Sequence, residues 1–150
     1  MKRLDFPGKT LVCGLACSLQ CILSAHPLDQ WQVRYTTPTN QTGPLFQAVG
    51  FGQDLFVAVG TQGGIATSAT GETWTLQPSG TTAGLQWIAY GNGRLVIVGL
   101  AGTILSSTDG TNWMTAVSGT AFDFYRVEFG NGVFVALSPS GIYTSADGLN

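Results

Sequence analysis

Charged side chains are scarce in this sequence. Asp, Glu, Lys and Arg make up 9% of the 150 residues, and the formal net charge is −2. After residue 25 the only cations are Arg34, Arg94 and Arg126, against seven acidic residues, which leaves a net charge of −4. Nucleic-acid binding depends on clustered Lys and Arg, so we expect no nucleic-acid partner.

Cysteine and histidine are also missing from most of the chain. Cys13, Cys17, Cys21 and His26 all lie within the first 26 residues. The rest of the chain therefore offers no disulfide, no Ser-His or Cys-His nucleophile and no thiolate metal ligand. No Asp-x-Asn/Asp-x-Asn/Asp-Gly loop is present, so no dedicated calcium site is expected. We predict a protein without catalytic residues, cofactor or metal.

The N-terminus has the pattern of a secretory signal. Lys2, Arg3 and Lys9 precede an uncharged, apolar or small-residue run over residues 10–25. The run is shorter than the ~20 residues that span a bilayer. We expect residues 1–25 to be a signal peptide cut after Ala25, which predicts an exported protein (secreted, periplasmic or at the cell surface) with no stable membrane span once the signal is removed. Retention as an anchor and a lipoprotein cut before Cys17 are the alternatives.

A repeat of 39 residues organises the remainder. The segments FGQD at 51, YGNG at 90 and FGNG at 129 are spaced by that period, and an apolar run follows each of them. Repeats near 40 residues with four short strands each are typical of β-propeller blades. Asn-Gly suits a tight two-residue hairpin. The sequence therefore predicts an all-β propeller.

The repeats also predict strand positions. Strand one covers about 46–51, 85–90 and 124–129. Strand two ends near Gly60, Gly99 and Ser138. Strand three covers about 64–68, 103–107 and 141–145, and strand four starts at Trp74 and Trp113. The blades occupy about 45–83, 84–122 and 123–150, and the third lacks its fourth strand.

The segment before the first blade, residues 26–44, contains a stretch that resembles an isolated strand four. It begins Trp31-Gln32-Val33, and we expect residues 31–36 to act as a closing strand. Propellers have about four to eight blades, so three blades form a partial propeller. The chain is then either truncated or self-associates to complete the ring.

A turn motif closes the third strand of every repeat. Serine begins it, Asp or Thr supports it through hydrogen bonds to the following N–H groups, glycine takes the left-handed conformation, and tryptophan fills space between blades. We interpret these residues as structural: Ser68, Thr70, Gly71 and Trp74; Ser107, Asp109, Gly110 and Trp113; Ser145, Asp147 and Gly148.

This motif resembles the Asp-box of bacterial neuraminidase repeats, although Asp and Gly are adjacent here rather than separated by one residue. The unit over about 45–150 is also similar to repeats of secreted bacterial propellers and of photosystem stability and assembly factors. The box is a structural element away from the catalytic centre in that family, so the resemblance implies a fold and no activity.

The repeats differ from one another on strand one, which lines the axis of a propeller. Alternate residues of a strand face opposite ways. One face of strand one is apolar in all three repeats, and the other carries Trp87, Arg126 and Glu128. We predict these three residues as a ligand surface. The alternative is that Arg126 and Glu128 pair with each other or with a neighbouring blade and that Trp87 fills space.

Two functions remain open on this basis. The first is a non-catalytic, exported binding or scaffolding module, with a carbohydrate or an envelope protein as partner. The second is a fragment of a sialidase-like glycoside hydrolase whose catalytic residues are missing. A sialidase site needs several arginines in a central pocket, whereas Arg94 follows a hairpin turn and Arg34 belongs to the expected outer strand.

Overall fold

The computed structural model describes residues 31–36 and 43–150, so the predicted signal peptide lies outside the described residues. The chain forms two compact units, Met1–Val33 and Arg34–Asn150. Only residues 31–33 of the first unit are described, and they are exposed. The second unit contains all the strands given below. Among residues 31–36 and 43–150, no helix has the length and apolarity that crossing a bilayer requires.

Three antiparallel sheets succeed one another along the chain, which confirms the predicted partial propeller of about three blades. Blade one contains β1 (Phe46–Gly52), β2 (Leu55–Gly60), β3 (Ile65–Ser68) and β4 (Thr75–Gln77). Blade two contains β5 (Leu85–Gly91), β6 (Arg94–Gly99), β7 (Ile104–Ser107) and β8 (Met114–Thr115). Blade three contains β9 (Arg126–Gly130), β10 (Val133–Ser138) and β11 (Gly141–Ser145).

The strands of each blade lie side by side in chain order, because tight turns join them. Gln53-Asp54, Asn92-Gly93 and Asn131-Gly132 form the turns between the first two strands, and both residues of each turn have positive φ. That is the two-residue hairpin that Asn-Gly favours. In blade one the same turn forms from Gln53 and Asp54, without a glycine.

Several predicted strand bounds differ from the structure by one or two residues. Strand four begins at Thr75 and Met114, one residue after each tryptophan, and β9 begins at Arg126 rather than at position 124. Phe124 is instead fully buried before the strand, and its N–H donates to the carbonyl of Gly99 in blade two (2.9 Å). The start of blade three is therefore attached to blade two before it joins its own sheet.

The core consists of two apolar layers, one between each pair of neighbouring blades. Between blades one and two lie Val57, Val59, Ile65, Leu85, Ile88, Leu95, Ile97 and Leu105. Between blades two and three lie Ala89, Val96, Val98, Phe124, Val127, Phe134 and Ala136. Blade two is thus packed on both faces, since alternate residues of each strand point to opposite neighbours.

Residues 31–36 form no strand in this structure. Two of them contact blade one: Arg34 lies 3.9 Å from the carboxylate of Glu72, and the Tyr35 ring packs edge-on against Phe46. The closing strand stays a prediction.

Trp113 packs against the layer between blades one and two, and its Nε1–H is buried without a hydrogen-bond partner. We expect Trp113→Ala to lower the free energy of unfolding by about 3 kcal/mol, as is typical when a packed aromatic ring is removed. Trp113→Phe should cost only about 1 kcal/mol, because it keeps the apolar contact and removes the unpaired donor. Urea unfolding of both variants measures the difference. Equal losses would contradict this account.

Candidate functional site

The turn after each third strand is built by the same hydrogen bond in all three blades. The serine hydroxyl accepts from the N–H of the turn glycine at 2.8 Å, in the pairs Ser68–Gly71, Ser107–Gly110 and Ser145–Gly148. All three glycines have φ between 68° and 78°. The serine thus fixes the turn, and only glycine adopts this backbone without strain.

The carboxylates of the turns are fully engaged in holding the loop. One oxygen of Asp109 accepts from the N–H groups of Thr111 and Asn112, both at 2.8 Å, and the other accepts from the Asn112 side chain at 2.7 Å. Asp147 makes the same contacts with Leu149 and Asn150. In blade one, Thr70 offers a single acceptor to Glu72 N–H at 3.2 Å.

These bonds stabilise the ionised carboxylates. Donation from the Asn112 side chain and backbone and from Thr111 holds the pKa of Asp109 well below its ordinary value. The Leu149 N–H and the Ser145 hydroxyl lower the pKa of Asp147 to about 2. A carboxylate that is ionised near neutrality has no proton to donate, so neither Asp109 nor Asp147 is suited to act as a general acid there.

Trp87, Arg126 and Glu128 are brought together. Arg126 Cζ lies 4.5 Å from the centroid of the Trp87 ring. Its Nε and Nη2 donate to one oxygen of Glu128 at 3.1 and 2.9 Å. Trp87 is half-buried against the layer between blades two and three, whereas Arg126 and Glu128 are exposed. The cluster is therefore a cation–π contact joined to a surface ion pair.

This cluster contributes little to stability. An exposed ion pair is worth about 0–1 kcal/mol, and a cation–π contact at an exposed site about 0.5–1 kcal/mol. In the structure Arg126 pairs with Glu128, and Trp87 packs against the layer between blades two and three. The exposed face of the guanidinium and the carboxylate remain available to a partner.

The two other arginines of the described residues lie elsewhere. Arg94 is half-buried and donates to the Ser106 hydroxyl at 3.2 Å, and Arg34 lies beside Glu72. The three arginines do not converge on one site. Among residues 31–36 and 43–150, no three His, Cys, Asp or Glu side chains are grouped as they would be around a metal ion.

Reasoning from the sequence missed the apolar part of this surface. Val127 is buried in the layer with blade two, so its neighbours Arg126 and Glu128 start from the opposite face of β9. The Arg126 side chain nevertheless reaches Trp87 of blade two. That opposite face also exposes Leu137 and Ile142, which pair with each other across β10 and β11. Alignment with Val98 and Ile104 of blade two would have identified both.

Comparisons with known proteins agree on the fold. A structure of YCF48 from Cyanidioschyzon merolae is 22% identical over 71% of this chain and 35% of its own length, with a TM-score of 0.60. YCF48 bound to D1 peptide is 18% identical over 71% of this chain and 39% of its own, with the same TM-score. The chain thus spans less than two fifths of either structure. No protein-family model matches the chain, and no curated protein does.

The hydrogen bonds of the turn carboxylates should make the stability of the protein depend on pH in the acidic range. A lowered pKa means that the carboxylate stabilises the fold fully above the unfolded pKa of about 3.9, and that this contribution disappears as pH falls through the folded pKa. We expect Asp109→Ala to destabilise the protein by about 1 kcal/mol at pH 7, with the gap to wild type closing as the pH drops below 3.9. Thermal melts across pH measure it.

Asp109→Asn is the matched control, since its side-chain oxygen still accepts from the turn N–H groups without a charge. Asp109→Asn should destabilise the protein less than Asp109→Ala does at pH 7. A gap between wild type and Asp109→Ala that widens on acidification would contradict the account.

Proposed function

We propose that this chain is a non-catalytic β-propeller module that binds an extended segment of a partner protein. The supporting observation is the exposed Arg126–Glu128 pair of blade three, whose guanidinium stacks on Trp87 of blade two. Trp and Arg are enriched among the residues that dominate binding energies at protein interfaces. Arg126 and Glu128 are exposed and their ion pair contributes little to stability, so recognition of a partner is one explanation for these two residues.

The chemistry of the cluster defines the segment. The guanidinium has five N–H donors, and the ion pair uses only those on Nε and Nη2. A carboxylate of the partner can bind the Nη1 side, and a Lys or Arg of the partner can approach Glu128. Leu137 and Ile142 offer apolar contacts beside them. A peptide with alternating apolar and charged residues of both signs fits this surface.

The structural neighbours favour a peptide over a sugar. One of them is described as bound to D1 peptide, so a propeller of this fold accommodates a peptide. The non-catalytic role rests on residues 27–150, which contain neither histidine nor cysteine. Acid–base catalysis by paired carboxylates would require an acid with a raised pKa, whereas the two shifted carboxylates are lowered.

The test is selection of dodecapeptides displayed on phage against the immobilised chain, with a glycan array in parallel. We expect selected peptides with an acidic residue beside apolar ones, and Arg126→Ala should weaken their binding about tenfold, the effect of losing about 1.4 kcal/mol. Arg126→Lys should lose part of the peptide affinity, because lysine lacks the planar guanidinium that binds a carboxylate through two donors.

Arg34→Ala is the matched control, since Arg34 is also an arginine beside a glutamate at the surface. It should leave peptide affinity unchanged. Glycan binding without peptide binding, or peptide binding that survives Arg126→Ala, would refute the proposed partner.

We also propose that the chain is exported with residues 1–25 as a cleaved signal, on the basis of the charged start and the uncharged run that follows. Intact mass measurement of the exported protein should give a chain that begins at His26. Leu15→Arg should keep the protein inside the cell, because a charge interrupts the apolar run. An exported protein that retains residue 1 would support the uncleaved anchor instead.

A further inference from the structure

The loop that leads into blade three, residues 118–125, differs from its counterpart in blade two, residues 79–86. Both loops begin with the same turn: a serine hydroxyl accepts from the N–H of the threonine two residues later, and the threonine hydroxyl accepts from the N–H two residues further on. The next four residues are Ala83-Gly84-Leu85-Gln86 in blade two and Phe122-Asp123-Phe124-Tyr125 in blade three. The third repeat thus carries three aromatic residues on a turn that the second repeat also forms.

Two of these three aromatic side chains face solvent. Phe122 is 58% exposed and Tyr125 is 52% exposed, whereas Phe124 between them is fully buried. Phe124 therefore anchors the loop in the core, as Leu85 does in blade two. The two exposed rings make no such contribution, and large apolar side chains that stand together at a protein surface commonly mark a binding site.

Solvent access at these two positions is a property of the repeat. Gln47 and Gln86 correspond to Tyr125, and in this chain a further blade packs beside the blade of each of them. Gln47 is nevertheless exposed and Gln86 is half-buried, as is Ala83 at the position of Phe122. A side chain at either position therefore stays within reach of a partner beside a neighbouring blade.

The backbone N–H groups around the exposed rings are already used. Those of Phe122, Phe124 and Tyr125 donate, in that order, to a hydroxyl of the same loop, a carbonyl of blade two and a carbonyl of blade three, at distances of 3.1, 2.9 and 3.0 Å. A partner segment therefore cannot pair with this loop as an added β-strand, which depends on main-chain hydrogen bonds. The side chains of the loop have to recognise it.

The carboxylate of Asp123 fixes the loop as well. One of its oxygens accepts from the N–H of Ala101 in blade two at 2.8 Å. Together with the N–H groups of Phe124 and Tyr125, this contact holds the loop to blade two and to blade three at once. The two exposed rings are therefore placed before a partner arrives, and a preorganised surface loses little conformational entropy on binding.

A polyproline II segment has the geometry that such a surface can bind. Its backbone forms no internal hydrogen bonds, and every third residue lies on the same side, about 9 Å apart at a rise of about 3.1 Å per residue. The Cα atoms of Phe122 and Tyr125 are also three residues apart, at most about 11 Å. Aromatic side chains line the grooves that bind such segments, and the Tyr125 hydroxyl can donate to a peptide carbonyl.

Arg126 follows Tyr125 directly in the sequence and supplies the charge beside the two rings. Its Nε and Nη2 donate to Glu128, which leaves the Nη1 side of the guanidinium for a carboxylate of the bound segment. The apolar and the charged parts of the surface are therefore consecutive along the chain, and one short peptide can contact both.

We propose that the segment bound by this surface contains Pro-x-x-Pro in the polyproline II conformation, with the two prolines on Phe122 and Tyr125 and an acidic residue beside them on Arg126. Proline suits such a site because its ring is apolar and its fixed φ restricts the peptide before it binds. This inference rests on the proposed function, since it defines the composition and the conformation of the same peptide.

The first test compares two libraries of dodecapeptides displayed on phage, one with Pro-x-x-Pro fixed at its centre and one with Ala-x-x-Ala, both with random flanks. On the immobilised chain we expect enrichment from the proline library alone, with Asp or Glu selected on one flank. In a synthetic peptide of the selected sequence, replacing either fixed proline with alanine should weaken binding about tenfold in a fluorescence polarisation titration.

The second test changes the rings. Phe122→Ala and Tyr125→Ala should each weaken the binding of that peptide about tenfold, and Tyr125→Phe should weaken it less, because the ring remains. Leu76→Ala is the matched control, since Leu76 is an apolar side chain of similar exposure (51%) on β4, and it should leave the affinity unchanged. Thermal melts of all four variants should match the wild type, which separates a lost contact from a lost fold.

Binders drawn equally from both libraries, or peptide binding that depends on Arg126 but survives both Phe122→Ala and Tyr125→Ala, would overturn this inference and leave the proposed function standing. If no peptide binds from these two libraries or from the fully random one, both proposals fail.

Discussion

The fold depends on the close approach of the first strands of neighbouring blades, where an aromatic ring lies over a bare glycine backbone. Phe129 over Gly91 and Tyr90 over Gly52 are the same contact made twice. A side chain at either glycine would force the strands apart, and the apolar layers behind them would lose contact. Each blade has two apolar faces, so no blade can bury both by itself. The 39-residue period is the consequence, because stability comes from stacking identical units.

The polar residues of the repeat stabilise the turn between the third and fourth strands. The turn glycine of blade two packs closely against blade one: a Cβ at Gly110 would lie 3.1 Å from Leu55. Packing so closely leaves the N–H groups of the turn without strand partners, and the serine hydroxyl and aspartate oxygens accept from them. These are the residues that a search for catalytic chemistry would select first. Their hydrogen bonds show instead that the side-chain oxygens accept from backbone N–H groups of the turn.

Local sequence patterns predicted the architecture because each repeat contains the residues that form its own strands and turns. Asn92-Gly93 predicts a hairpin by itself, and the second strand ended where expected at Gly60, Gly99 and Ser138. The stacking of Arg126 on Trp87 could not be predicted in this way, since it joins two blades and depends on their relative orientation. For the same reason the sequence did not show that both faces of strand one pack against neighbours. The alternation of residues along a strand assigns side chains to its two faces but does not predict what packs on each face.

The charged pair on β9 is where the third repeat departs from the other two. Position 128 holds glycine or alanine in the other blades, where a neighbour packs closely: a Cβ at Gly50 would lie 3.0 Å from Ile88. A glutamate would be costly to bury in such a place; Glu128 is instead exposed and paired with Arg126 at 2.9 Å. Position 126 corresponds to Trp87, which stays half-exposed although blade three packs beside it. The third repeat therefore carries an exposed ion pair where the first two repeats have uncharged residues.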